Sequence, residues 1–200
     1  MSDTRKPKIA VIFYSTYGTN HVMAQDAAEA ARAAGAEVRL LRVAETAPRD
    51  VVDSQDGWKA EAARQADVPV AGPDDIAWAD GYIFSTPTRF GAASSQMRAF
   101  IDTLGGVWSQ GGTVNKTVTA MSSAMNPHGG QEATILGLYT SFLHWGALIV
   151  APGYTDEAFG KAGGNPYGTS VTAGKYGDEQ KAAIAKQAAR LVSVTKKIIA

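Results

Sequence analysis

The sequence predicts an α/β fold, a doubly wound parallel sheet of five strands with helices on both faces. Its apolar runs are short and continuous rather than alternating, as at residues 8–14 (KIAVIFY), which indicates strands buried on both faces. Stretches with helical spacing of apolar residues alternate with these runs, as parallel sheets require. A chain of 200 residues suits one such domain, spanning residues 1–200.

The spacing of apolar residues and the positions of turn residues predict the bounds of the individual strands and helices. We predict strands at residues 8–14, 37–43, 82–85, 116–122 and 147–150. We predict helices at residues 20–34, 57–66, 96–104 and 131–145, and a last helix from residue 178 onward. Gly35 and Gly146 follow two of these helices as C-terminal caps, and Asp178 is placed to cap the last one.

Two of the predicted helices carry an apolar face that we expect to cover the sheet. The helix over residues 131–145 has on one face Ile135, Leu136, Tyr139, Phe142 and Leu143. The last helix turns inward Ile184, Ala188, Leu191 and Val192.

Three segments read as loop insertions, namely residues 44–80, 105–115 and 154–177. Prolines interrupt the first of them, at Pro48, Pro69 and Pro73. The third is long and rich in glycine. A loop of that length in a compact domain is usually functional, at an interface, or both.

The composition narrows the classes of function. Nineteen Lys and Arg residues balance 19 Asp and Glu residues, so neither nucleic acid nor a polybasic membrane contact is expected. The chain has no cysteine, which excludes disulfides, iron–sulfur clusters and cysteine nucleophiles. Its three histidines are not spaced as a metal site, so no metal is predicted.

The start of the chain and its hydropathy predict a cytoplasmic protein. The N-terminal stretch enters the first strand without an apolar signal segment. No apolar run approaches the roughly 20 residues that a membrane helix needs, so no membrane partner is expected.

The site should lie where the strands end. Ligands of doubly wound sheets bind at the carboxyl ends of the strands, near the point where the strand order reverses. We therefore expect the loops that begin at Ser15, Ser85, Ser122 and Pro152 to form the site.

The loop after the first strand consists of Ser15, Thr16, Tyr17, Gly18, Thr19 and Asn20. Its hydroxyls and the N–H groups of the following helix suit a phosphate group. The loop lacks both the Gly-x-x-x-x-Gly-Lys-Ser/Thr and the Gly-x-Gly-x-x-Gly pattern, which disfavours nucleoside triphosphates and an ordinary dinucleotide site. A monophosphate held without lysine indicates FMN, and the alternative is a plain helix cap.

Two further loops complete a flavin site in this interpretation. After the third strand come Pro87, Thr88, Arg89, Phe90 and Gly91, where Arg89 can place positive charge near a reduced, anionic ring. After the fourth strand come Ser123, Ala124, Met125, Asn126, Pro127, His128 and Gly129. Without the first loop, the second would be better explained as a turn with a surface arginine. The alternative for the third loop is a plain strand-to-helix connection.

Taken together and in order, these stretches resemble the WrbA family of NAD(P)H:quinone oxidoreductases, tetrameric flavoproteins of flavodoxin-like fold. The matching motifs are YSTYG at 14–18, TPTRFG at 86–91, QMR at 96–98, GGVW at 105–108, GGQE at 129–132 and GNPYG at 164–168. They cover nearly the whole chain, and the PTRFG stretch is the one that is specific by itself.

The resemblance implies the roles of the site residues. It implies that the three loops bind FMN tightly but non-covalently and that NADH or NADPH is the electron donor. It implies that His144 contacts FMN as the catalytic histidine and that Tyr17, Trp108 and Tyr154 bind substrate. It also implies a homotetramer, a dimer of dimers, with active sites at subunit interfaces.

The sequence departs from the family at three places. The first loop ends in Thr19 and Asn20, where relatives often have His and Ile. Residues 124–128 replace a shorter stretch rich in Thr and Gly, and Trp145 stands where a second histidine is common.

The function predicted from these features is two-electron, ping-pong reduction of quinones to hydroquinones by an FMN-dependent NAD(P)H:quinone oxidoreductase. One alternative is a flavodoxin-like electron carrier, although such carriers tend to be strongly acidic and monomeric, whereas this chain has a net charge of +0. Another is a regulatory or binding protein that uses FMN only for stability. The sequence does not specify the natural quinone or the choice between NADH and NADPH.

Overall fold

A seven-stranded sheet lies at the centre of the fold. In the computed structural model, which describes residues 5–200, the strands are β1 (Lys8–Phe13), β2 (Glu37–Arg42), β3 (Gly81–Arg89), β4 (Ala92–Ala93), β5 (Thr117–Ala124), β6 (Leu148–Ile149) and β7 (Ser170–Thr172). Residues 1–4, which open the stretch considered above for a signal segment, lie outside the described residues.

Helices connect the strands and cover the sheet. They are α1 (Thr19–Ala33), α2 (Arg49–Asp53), α3 (Asp56–Arg64), α4 (Pro73–Trp78), α5 (Ser95–Asp102), α6 (Gly105–Ser109), α7 (Gln131–His144), α8 (Glu157–Lys161) and α9 (Asp178–Ile198). Over residues 5–200, none of these helices combines the length and the apolar character needed to cross a membrane.

The strand order confirms the predicted doubly wound α/β sheet. Strands β2, β1, β3, β5 and β6 are neighbours in that order, and every pair among them runs parallel. The order reverses between β1 and β3. The carboxyl ends of these two strands therefore flank the crevice in which such sheets bind ligands.

Two short strands, β4 and β7, are additions to the predicted sheet. Strand β4 pairs antiparallel with β3 through Thr88 and Ala93. Strand β7 pairs parallel with β5, with Val171 opposite Ser123. Their sequences, AA and SVT, contain no run of large apolar residues, whereas the two residues of β6 lie within the predicted apolar run at 147–150.

Two cores, one on each face of the sheet, explain why the central strands are buried. Ile9 and Val11 belong to the core beneath α1 and α9, whereas Ala10 and Ile12 belong to the core beneath α5 and α7. This alternation arises because successive side chains of a strand point to opposite faces.

The predicted apolar faces of the long helices are confirmed for α9 and only partly for α7. In α9, all four residues predicted to face inward are buried. In α7, Ile135, Tyr139 and Phe142 are buried, but Leu136 is 43% exposed and Leu143 is 63% exposed. These two leucines lie one position beyond the buried residues, which at about 100° per residue turns them toward the helix edge.

The three predicted loop insertions contain more regular structure than expected. Residues 44–80 hold α2, α3 and α4, where one helix is predicted. Residues 105–115 hold α6, and residues 154–177 hold α8 and β7. The unpredicted helices have five or six residues. Helices this short depend on tertiary contacts rather than on their own sequence pattern.

Candidate functional site

The loop between β1 and α1 presents backbone N–H groups that no side chain caps. Helix α1 begins at Thr19, with Gly18 as its N-cap and no side-chain hydrogen bond at that position. The N–H groups of a first helical turn have no partner inside the helix and carry partial positive charge. Ser15 Oγ accepts a hydrogen bond from Gly18 N at 3.0 Å, which curls the loop. The loop therefore offers several donors to an anion.

Gly18 is required by the shape of this loop. Its φ of +100° lies in the left-handed region that favours glycine. A Cβ at Gly18 would lie 2.6 Å from Arg64 Nη2 and 3.1 Å from Glu61 Oε2. A side chain at Gly18 would therefore displace the Arg64 guanidinium, which is 53% exposed, from Glu61.

A cluster formed by His21, Glu61 and Arg64 holds α3 against the loop. His21 Nδ1 lies 2.7 Å from Glu61 Oε1, and both side chains are buried. Arg64 Nη2 binds Glu61 Oε2 at 2.6 Å, and the His21 ring stacks on Phe13 at 4.7 Å. Burial alone raises the pKa of the Glu61 carboxyl, but hydrogen bonds from His21 and Arg64 outweigh it and hold that pKa below its usual value.

Asn20 joins three loops beneath the site. Its amide nitrogen donates to Ser85 Oγ at 3.1 Å, and its amide oxygen accepts from Ser123 Oγ at 2.5 Å. Asn20 is 1% exposed, so water does not compete for these bonds. Its side chain therefore ties α1 to the ends of β3 and β5.

The predicted second loop is the tip of a β-hairpin. Arg89 of β3 pairs with Ala92 of β4, and Phe90 and Gly91 form the turn between them. Both turn residues have positive φ, 51° and 80°, as two-residue hairpins favour. Such a φ stores strain of about 1–3 kcal/mol in a non-glycine residue. The side chain of Phe90 is fully exposed to solvent.

Arg89 reaches from the hairpin to the first loop. Its Nη2 donates to Thr16 Oγ1 at 2.7 Å, and its Nη1 donates to Thr88 O at 3.2 Å. Thr16 is buried and in turn donates to the Tyr14 hydroxyl at 3.4 Å. These bonds fix a positive charge between the first and second loops.

The third loop is tightly folded on itself at Gly129 and packs against the hairpin tip at Gly130. A Cβ on Gly129 would lie 2.4 Å from Ala124 Cβ. Gly130 has φ +96°, and a Cβ there would lie 2.9 Å from Gly91 Cα. The turn is closed by a hydrogen bond from Gly129 N to Asn126 O at 3.1 Å.

The three loops enclose a pocket at the carboxyl edge of the sheet. Its volume of about 550 Å³ is within the range of small-molecule sites. The predicted cofactor residues that line it are Ser15, Thr16, Tyr17, Thr19, Asn20, Pro87, Thr88, Arg89, Ser123, Ala124 and Met125.

Ala173 and Gly174 also line the pocket, although no sequence feature assigns them to it. They follow β7, whose pairing with β5 brings them beside the third loop. The single signal in the sequence is the glycine-rich character of residues 154–177.

Other predicted cofactor residues shape the loops or line other surfaces. Gly18, Phe90, Gly91, Asn126 and Gly129 belong to the turns but not to the pocket lining. Pro127 and His128 line a separate cleft of about 240 Å³ beside the start of α7.

His144 and Trp108 lie together at the opposite edge of the sheet from the three loops. Helix α7 starts at the third loop and ends at His144, so its 14 residues carry His144 about 20 Å from that loop. Trp108 Nε1 donates to His144 O at 3.0 Å, which places both residues at the same edge. Both are exposed, and neither lines the pocket of its own chain.

Tyr154, the third residue predicted to bind substrate besides Tyr17 and Trp108, closes its own loop. Its hydroxyl donates to Gly164 O at 3.1 Å, and the side chain is 72% exposed. It is not part of the pocket lining.

Sequence relatives extend over almost the whole chain. Residues 7–157 match the family described as NADPH-dependent FMN reductase. A Deinococcus radiodurans protein named NAD(P)H dehydrogenase (quinone) is 57% identical over 198 residues, covering 98% of this chain and 99% of the relative. A Geotalea daltonii protein of the same name is 40% identical over 178 residues, covering 86% of each chain.

Solved structures confirm the flavodoxin-like fold. The flavodoxin, WrbA-like protein from Agrobacterium tumefaciens has a TM-score of 0.70 at 20% identity, covering 96% of this chain and 99% of that one. A flavodoxin from the domain Archaea has a TM-score of 0.62 at 15% identity, covering 94% and 99%. At these identities the likeness concerns the fold alone.

Proposed function

This chain belongs to the family of NADPH-dependent FMN reductases, and we propose on that basis that it is an FMN-dependent NAD(P)H dehydrogenase that reduces quinones. The observation that carries this proposal is the pocket, since the three loops predicted to bind FMN converge on it. The relatives named NAD(P)H dehydrogenase (quinone) support both the electron donor and the class of acceptor.

The pocket offers FMN the contacts that it needs. We assign its phosphate to the first turn of α1 and to the hydroxyls of Ser15, Thr16 and Thr19, because these groups supply donors without a lysine. We assign the ring to the hairpin, along residues 88–91, and to the third loop, residues 123–129. When bound, FMN supplies the hydride chemistry, and the protein orients it and excludes competing reactions.

Arg89 is the charged side chain at the centre of this assignment. Its guanidinium is fixed by Thr16 and by the Thr88 carbonyl, so its charge is preorganised between the phosphate loop and the hairpin. A preorganised cation stabilises negative charge that develops beside it. Arg89 therefore favours the reduced state of the ring.

A single pocket for both substrates implies a ping-pong order. NAD(P)H binds and leaves, and the quinone then occupies the same flat site and is converted to the hydroquinone by two electrons. Tyr17 supports this role, since its ring is 59% exposed at the pocket and presents a face on which a flat ligand can stack.

We further propose a homotetramer in which His144 and Trp108 serve the pocket of a neighbouring subunit. Within one chain they lie about 20 Å from the third loop, at the far end of α7. Apolar side chains suited to an interface are exposed along this path, namely Phe90, Trp108, Leu136 and Leu143. The prediction of a cytoplasmic protein rests on the sequence alone.

Anaerobic mixing of the FMN-loaded protein with NADH or NADPH tests the enzymatic function. We expect the flavin absorbance to bleach within seconds and to return when a soluble benzoquinone is added. Initial rates at several quinone concentrations should give parallel double-reciprocal lines, as a ping-pong order requires. A flavin that NAD(P)H does not bleach, but that dithionite reduces in one-electron steps, would favour the electron carrier instead.

A further inference from the structure

A second cleft opens beside the cofactor pocket. Its volume is about 590 Å³, against about 550 Å³ for the pocket itself. It is lined by Tyr14, Thr16, Tyr17, Thr46, Ala47, Trp58, Arg89, Ser95 and Gln96. The residues common to both cavities are Thr16, Tyr17 and Arg89. A ligand can therefore extend from one cavity into the other across these three residues.

The carboxylate of Glu45 organises the walls of this cleft. Its Oε1 accepts from Gln96 Nε2 at 2.7 Å and from the N–H groups of the next two residues at 2.9 Å. Its Oε2 accepts from the Tyr14 hydroxyl at 2.9 Å and from Trp58 Nε1 at 3.1 Å. With five donors on two oxygens, Glu45 has no capacity left for a ligand and acts on the shape of the cleft.

Two aromatic side chains that line the cleft, Tyr17 and Trp58, are held in place by neighbouring residues. Trp58 is half-buried, with its indole nitrogen bound to Glu45. The Tyr17 hydroxyl donates to Gln55 Oε1 at 2.5 Å, and its ring lies 3.3 Å from where a Cβ of Gly57 would be. The insertion between β2 and β3 thus holds both rings, and rings held in this way present stacking faces to a base.

Charge and hydroxyl groups complete the lining. Among the described residues that line the cleft, Arg89 is the single charged side chain, and it stands on the border with the cofactor pocket. Thr46 and Ser95 contribute exposed hydroxyls to the lining, and Gln96 contributes a buried amide. A cation at the border followed by hydroxyls and aromatic faces matches a pyrophosphate followed by a ribose and a base.

We propose that this cleft binds the ADP half of the nicotinamide dinucleotide, with Trp58 as the stacking partner of adenine. The inference rests on the proposed function, because it concerns the same electron donor. The nicotinamide has to reach the flavin in the first pocket, so the rest of the dinucleotide must leave that pocket. The second cleft begins at the shared rim, where Arg89 meets the pyrophosphate.

Electron donors with and without the ADP half test this inference. NADH carries the ADP half, whereas reduced nicotinamide mononucleotide lacks it. In the FMN-loaded protein, Trp58→Ala should raise the KM for NADH about tenfold, as expected from loss of one base–aromatic stack, and should leave the KM for the mononucleotide at the wild-type value. Trp58→Phe keeps an aromatic face but loses the bond to Glu45, so its KM for NADH should remain near wild type.

Direct binding separates this inference from the proposed function. ADP-ribose, titrated calorimetrically into the FMN-loaded protein, should bind to the wild type and about tenfold more weakly to Trp58→Ala, and should compete with NADH. An equal change in KM for both donors, or ADP-ribose that fails to bind, overturns the inference. If wild-type protein binds ADP-ribose but neither donor bleaches the flavin, the proposed function fails while the nucleotide cleft stands.

Discussion

Gly18 is the residue on which the shape of the loop between β1 and α1 depends most directly. Gly18→Ala should weaken FMN binding at least about tenfold, because the new Cβ would lie 2.6 Å from Arg64 Nη2 and displace that guanidinium from Glu61, which holds α3 against the loop. The left-handed φ adds a backbone cost of about 1–2 kcal/mol. Titration of FMN with apoprotein, followed by quenching of flavin fluorescence, measures the affinity.

Gly35→Ala is the matched control for this substitution. Gly35 also has a left-handed φ, +91°, but it lies at the other end of α1, and a Cβ there would meet only Lys196 Nζ, at 3.2 Å. Both variants should unfold at lower temperature than the wild type. FMN affinity should fall in Gly18→Ala alone, and an equal fall in both would contradict the role of the loop.

At the residue scale, the sequence predicts that Asn20 belongs to the site but not which residues it binds. Its position in a loop that opens a helix predicts a site residue, and it does line the pocket. Its hydrogen-bond partners are Ser85 and Ser123, 65 and 103 positions away along the chain. No local pattern connects such positions, so the network beneath the site emerges only from the fold.

At the scale of elements, the attachment of α3 to α1 has a defined pH dependence. The pKa of Glu61 is lowered in the folded protein, so its ionisation stabilises the fold above its unfolded pKa of about 4.3. This contribution is lost as the pH falls through the lower, folded pKa. Glu61→Gln should cost about 1–3 kcal/mol at pH 7, since it leaves buried donors poorly paired.

Urea unfolding at pH 7 and at pH 3 measures this difference. The gap in free energy of unfolding between the wild type and Glu61→Gln should narrow at pH 3. Glu157→Gln provides the control, because Glu157 is a surface partner of Lys161, with its side chain 80% exposed. That change should lie within about 0.5 kcal/mol at both pH values. A gap for Glu61→Gln that is independent of pH would rule out this account.

The long elements were predictable because burial imposes a period on them. Strand β1 reads as a continuous apolar run and α9 as a clean helical stripe, and the structure has both. The short elements lack this signal. The apolar face predicted for α7 was partly wrong for a different reason, since Leu136 and Leu143 are apolar yet exposed. A prediction from apolar spacing assumes that apolar residues are buried, so it assigns exposed leucines at helical spacing to the buried face.

At the scale of the whole molecule, the separation of Trp108 from the pocket predicts complementation between chains. Trp108→Ala and Gly18→Ala should each lower quinone reductase activity when expressed alone. Coexpressed, they should form mixed tetramers in which an intact pocket from one chain meets an intact Trp108 from another. Activity should therefore recover partly, and kcat per bound FMN measures the recovery.

The control for complementation places both substitutions in one chain. Coexpression of that double variant with Trp108→Ala offers no intact pocket beside an intact Trp108, so its activity should stay at the level of Trp108→Ala alone. Leu143→Glu tests the assembly itself, since a charge on the exposed face of α7 should shift the mass measured by light scattering below that of a tetramer. A tetrameric mass for this variant would exclude that face from the interface.

Two short strands, β6 and β7, share the outer edge of β5, and this arrangement has a consequence for the order in which the pocket is synthesised. Strand β6 pairs only with the first residues of β5, at Thr117 and Val118, while β7 pairs with its last three. Ala173 and Gly174, which line one wall of the pocket, thus follow Ser15 of the first loop by more than 150 residues along the chain. A ribosome therefore delivers the donors that we assign to the phosphate well before this wall of the pocket. A nascent chain that stops before β7 lacks Ala173 and Gly174, so we expect it to bind FMN more weakly than a chain that includes them.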